Sequence, residues 1–98
     1  QWITAILFSH DIRAISAMTE CSDRGIQIPR DLSLIGFDDL PMTAYTEPPL
    51  TTIRQDRIAL GGCGYYAISC LLSGLPIGSI LLRAPLIVRG STGPAPVA

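Results

Sequence analysis

The apolar positions change period several times along the chain, and each change marks a predicted element. Residues 3–8 (ITAILF) form a continuous apolar run of strand length, closed by polar Ser9, His10 and Asp11. Over residues 12–24, Ile12, Ala14, Ile15, Ala17, Met18 and Cys21 return at three- and four-residue steps. Arg13, Ser16, Glu20 and Asp23 fall between them, the pattern of an amphipathic helix. Asp11 is placed to cap that helix, because a carboxylate accepts backbone N–H bonds and suits the positive end of the helix dipole. Gly25 supplies a left-handed stop, and Ile26 beyond it can fold back on the last turn. Ile28, Pro29, Arg30 and Asp31 then turn the chain into a second buried strand over residues 33–37, which empties into Asp38 and Asp39. Strand, helix and strand with a short return make the βαβ unit of a parallel sheet.

The second half is punctuated by proline and glycine. Residues 40–47 carry a proline, a tyrosine and small polar residues, and read as a loop with one helical turn. Pro48 and Pro49 forbid helix, and β-branched Thr51, Thr52 and Ile53 favour strand, so the chain leaves this loop extended. Asp56 is the predicted cap of a second helix over residues 57–73, with Ile58, Leu60, Ala67, Ile68, Leu71 and Leu72 at helical spacing. Gly61, Gly62 and Gly64 each cost ~1 kcal/mol against alanine inside a helix, which implies close backbone packing there or a frayed start. Gly74 and Pro76 end the helix. Residues 80–83 and 86–89 are two short strand candidates split by Ala84 and Pro85, and residues 90–98 read as a loose tail.

Composition changes this picture in two ways. Of 98 residues, 48% are hydrophobic and only 15% charged, which is apolar for so short a chain. The expectation is a piece of a larger protein, with surface meant for a missing subdomain, a second copy, or both. The net charge of −1 comes with seven scattered arginines, no lysine and no basic stripe, which argues against direct contact with nucleic acid. Cys21, Cys63 and Cys70 form no metal-ligand spacing, so neither a metal nor a cofactor is expected, and they read as reduced thiols of a cytoplasmic protein. No apolar run reaches membrane-spanning length and no signal sequence opens the chain. Nothing resembles a catalytic set: His10 has no partnered nucleophile, Asp38 and Asp39 have no distant partner acid, and the three glycines do not follow a strand. The expectation is a protein that is not an enzyme. Trp2 and Phe37 read as packing residues.

Four segments carry a family resemblance: TAILFSHDIRAISAM (residues 4–18), DRGIQIPRDLSLIGFDD (23–39), EPPLTTIRQDRIALG (47–61) and LIVRGST (86–92). In order and spacing they resemble the C-terminal part of bacterial transcription regulators of the lactose/galactose-repressor (LacI/GalR) family. The resemblance implies an α/β fold with a parallel-sheet, three-layer Rossmann-like arrangement, here a partial periplasmic-binding-protein-like type I fold. It further implies that residues 1–49 and 79–92 belong to the C-subdomain, 50–55 to a hinge crossing, 56–76 to a helix of the N-subdomain and 93–98 to a loose tail. The helix-turn-helix domain that reads operator DNA would lie outside these residues. A periplasmic sugar-binding protein of the same fold is the competing reading, and an enzyme built on the fold is the weaker one.

Within that frame, Asp38 is the leading ligand residue, with a plain turn cap as the alternative. A carboxylate just beyond a strand's carboxyl end accepts hydrogen bonds from neighbouring hydroxyls, which suits a sugar or related polyol. Asp39 points to a turn or interdomain contact, because adjacent side chains at a strand exit diverge. His10 stands where the family commonly has Asn, so it is either a ligand contact or an exposed loop residue. Gln55 is either a ligand contact or an interdomain hydrogen bond. Thr51, Thr52 and Ile53 form the implied hinge strand. Met42 and Tyr45 match the family's dimer-facing loop, with a satellite core contact as the alternative. The implied partners are a small-molecule effector, a second copy of the chain and, through the absent domain, operator DNA.

Overall fold

The structure, a computed structural model, describes residues 3–97. The expected packing role of Trp2 lies outside them. The elements are β1 (Ala5–Leu7), α1 (Asp11–Asp23), β2 (Ser33–Ile35), a 3-10 turn (Pro41–Ala44), β3 (Thr52–Ile53), α2 (Arg57–Leu72) and β4 (Leu86–Ile87). They fall into two compact units: Gln1–Arg54 with Pro85–Ala98, and Gln55–Ala84.

In the first unit β1 and β2 pair in parallel, Ile6 opposite Leu34, and the ladder continues through Phe8 N–H to Ile35 O at 2.8 Å. On the other side of β2 runs the segment after the prolines, with parallel bridges from Ile35 to Thr51 and from Asp38 to Arg54. β3 then pairs antiparallel with β4. Helix α1 buries Ala14, Met18 and Cys21, which pack with Leu32, Leu34 and Leu50 into the core. Its end follows the left-handed glycine scheme: Gly25 has φ +74°, and Ile26 N–H reaches back to Cys21 O at 2.8 Å.

Three expectations about these segments need correction. Asp11 does not cap α1. The cap residue is His10, without a side-chain bond, while Asp11 is the first helical residue and turns its carboxylate inward. Residues 80–83 are not a strand: 75–85 hold no regular structure, and Leu81 is 97% exposed with no ladder partner to order it. Residues 91 and 92 are not loose. The fully buried Ser91 hydroxyl donates to Leu34 O at 2.6 Å and accepts from Thr51 N–H at 2.8 Å, and Thr92 Oγ1 meets Thr51 Oγ1 at 2.9 Å. Gly93 N–H adds a bond to Ser33 Oγ at 3.1 Å. A Ser-Thr pair can replace a strand ladder when a buried backbone needs donors and acceptors.

The second unit is dominated by α2. Asp56 caps it as expected, accepting from Ala59 N–H at 3.0 Å, and Gly74 (φ +71°) closes it with Leu75 N–H bonded to Cys70 O at 2.9 Å. Of the two readings of its three glycines, the frayed start does not hold. The helix is continuous from Arg57, and a Cβ built at Gly61, Gly62 or Gly64 meets nothing within 4 Å.

Candidate functional site

The carboxyl ends of β1 and β2 lie side by side, tied by Asp11 N–H to Phe37 O at 3.1 Å. His10 follows one exit and Asp38 the other, so the parallel pair brings these two candidate residues to one edge of the sheet. Beneath them sits Asp11, fully buried, its carboxylate accepting from Leu40 N–H at 2.7 Å and from Thr52 Oγ1–H at 2.6 Å. One side chain thus joins the start of α1, the loop after Asp39 and the segment after the prolines. Gly36 is required for that approach, since a Cβ there would collide with Asp11 Oδ1.

The paired aspartates have an unusual backbone. Asp38 (φ 119°) and Asp39 (φ 57°) both lie on the left-handed side, which L-residues with a Cβ rarely adopt and never without cost. Asp38 is half-buried and its N–H is held by Ile53 O at 2.9 Å. Its neighbour turns away into an ionic cluster. Asp39 accepts from Arg54 Nε at 2.7 Å and from Arg89 Nη2 at 2.8 Å, with Thr43 Oγ1 at 3.2 Å. Burial pushes the Asp39 carboxyl upward, but hydrogen bonds from Arg54, Arg89 and Thr43 and the Arg89 charge outweigh it and hold the group below its ordinary value. Arg89 is itself held by two more acceptors, Thr43 Oγ1 at 2.8 Å and Leu50 O at 2.9 Å.

The remaining candidates are placed as follows. His10 is exposed, its Nδ1 2.9 Å from Ser9 Oγ, which also accepts from Arg13 at 3.2 Å. Gln55 is half-buried and is the first residue of the second unit. Thr51 and Thr52 are buried and bonded, Ile53 half-buried. Met42 lies within the 3-10 turn and Tyr45 directly after it, at 47% and 86% exposure. Sequence reasoning passed over Arg89, Thr43 and Ser91. The usable signal was Arg89 itself, a lone cation between strand residues that must find a carboxylate if it is to be buried. Among the described residues no cluster of side chains could hold a metal ion, and no helix is long and apolar enough to cross a membrane.

Comparison with known proteins bears on this geometry. The sequence profile described as "Periplasmic binding protein-like domain" matches residues 1–92. The HTH-type transcriptional repressor CytR of Escherichia coli is 37% identical over 95 residues, covering 95% of this chain and 28% of the repressor. Among solved structures, the lac repressor dimer bound to operator and the anti-inducer ONPF superposes with a TM-score of 0.86 at 34% identity, over 91% of this chain and 32% of that one. A LacI family transcriptional regulator from an Arthrobacter species, in complex with lactose, gives 0.79 at 29% identity, over 92% of this chain and 35% of that one. The chain therefore spans under a third of the length of CytR. It belongs to the periplasmic binding protein-like domain family, in the form found as the effector-binding domain of LacI/GalR-type transcription regulators.

Proposed function

We propose that the chain is the effector-sensing part of a transcription regulator and that the strand-exit edge carrying Asp38 and His10 forms one wall of its ligand cleft. The observation that supports this most directly is the parallel pair itself, which delivers a half-buried carboxylate and an imidazole to adjacent strand ends, where open α/β sheets bind ligands. Asp38 accepts hydroxyl protons of a sugar or related polyol, and His10 offers a second polar contact. Gln55 is the third candidate contact. The lactose complex of the Arthrobacter regulator supports a saccharide as the ligand class.

In the whole protein, on this reading, Thr51, Thr52 and Ile53 are the joint between two subdomains. Met42 and Tyr45 belong to the face shared by two copies of the chain, and operator DNA is read by a separate helix-turn-helix domain in the cytoplasm. Residues 1–49 and 79–92 make the C-subdomain and 56–76 a helix of the N-subdomain. An effector shifts operator affinity by the difference in its affinity for the two arrangements of the subdomains.

Operator titrations of the intact regulator, with and without lactose and related sugars, test the site. Losing a charged acceptor to a ligand hydroxyl should weaken the effector response of Asp38→Ala about tenfold to a hundredfold, with effector-free operator binding unchanged. An unaltered response would remove Asp38 from the ligand site.

A further inference from the structure

Two consecutive non-glycine residues with positive φ do not persist by themselves, and what holds this pair is visible. Asp39 is gripped on both oxygens: Arg54 Nε on Oδ2 at 2.7 Å, Arg89 Nη2 on Oδ1 at 2.8 Å. The two arginines differ in kind. Arg54 has a side chain 54% exposed, whereas that of Arg89 is 18% exposed and bonded also to Thr43 and to Leu50 O. Arg89 is thus the fixed jaw. Its guanidinium fork is set by two acceptors that do not belong to the turn, so it presents Nη2 to Asp39 at a defined place.

We propose that Arg89, acting through Asp39, is the positioning residue that keeps the Asp38–Asp39 turn left-handed and thereby presents the Asp38 carboxylate to the effector. The proposal deepens the reading of Asp38 as a ligand contact and rests on it for its meaning, but the turn can be examined with no ligand present. Strain of this kind is sustained at binding sites where surrounding contacts over-determine it. Asp39 supplies the grip, and the Asp38 backbone is fixed beside it through its N–H bond to Ile53 O. Arg89 touches no ligand on this account.

Amide hydrogen exchange in the full chain tests it. In Arg89→Met the Asp38 and Leu40 amides should exchange about tenfold faster or more, while the Phe8 and Ser33 amides in the β1–β2 ladder keep their rates. Arg89→Lys, which keeps the charge but not the fork, should fall between. The decisive variant is Arg89→Met combined with Asp39→Gly: glycine adopts φ near +57° freely, so exchange at the Asp38 amide should slow again towards wild type. In the intact regulator, Arg89→Met should lower the effector response about tenfold and the glycine double variant should recover part of it. Exchange at the Asp38 amide rising only in step with that at Phe8 and Ser33, or a double variant no slower than Arg89→Met alone, would overturn the proposal. An indifferent Asp38→Ala would count instead against the ligand site, leaving the exchange result to judge the clamp.

Discussion

The Asp11 carboxylate has left water altogether, and it is received by one backbone N–H and one hydroxyl. Removing it by Asp11→Ala leaves Leu40 N–H and Thr52 Oγ1 without their partner, at about 1–3 kcal/mol for each buried group. Urea unfolding should therefore show a loss of about 2–6 kcal/mol, far above that of an exposed aspartate such as Asp23. Gly36→Ala attacks the same point sterically, and overpacking of this sort costs about 1–3 kcal/mol. Asp39 adds a pH signature. Its carboxyl is lowered in the fold, so its contribution is complete above the ordinary aspartate value and is lost as pH falls through the lower, folded one. Stability measured against pH should fall on that acid side, and Asp39→Asn should flatten the fall. Single residues were the least legible scale. A carboxylate ahead of an apolar helix reads as a cap, whereas Leu40 N–H and Thr52 Oγ1 hold it inward, in room that Gly36 leaves. Asp39 was legible as a turn residue, but its arginine partners lie 15 and 50 positions away, beyond any local pattern.

Elements follow more directly from local rules. The apolar period of α1 and its glycine stop place the helix within a residue of Asp11–Asp23, and Asp56 and Gly74 do the same for α2. Both helices end on a glycine at φ above +70°, where any Cβ is strained. Gly25→Ala and Gly74→Ala should each cost about 1 kcal/mol in thermal or urea unfolding, although neither new methyl would touch another atom. Short strands were harder to read. β-branched and apolar residues at 80–83 have the composition of a strand, but a ladder needs a neighbour, and the neighbour of β3 is Leu86–Ile87. The closing Ser-Thr-Gly segment has the composition of a tail and the bonding of a strand, because its hydroxyls supply what a backbone alone would not.

At the scale of the molecule, the apolar excess seen in the composition appears as exposed surface. Ile58 is 90% exposed, Leu72 84% and Leu81 97%, all within residues 55–84. Burying such side chains gains about 1.5–3 kcal/mol each, so the 98-residue chain should self-associate, and sedimentation should show species heavier than a monomer whose share grows with concentration. The family and its α/β class were readable because motif order and spacing survive over the whole stretch. Which polar side chains meet was not, since that depends on three segments converging from distant positions. Ser91 shows what such convergence entails. Shortening the chain from its carboxyl end should be harmless back to Gly93, for residues 94–97 are exposed. Cutting past Ser91 withdraws the hydroxyl that bridges Leu34 and Thr51, unseating the middle of the sheet from a place that looks like its margin.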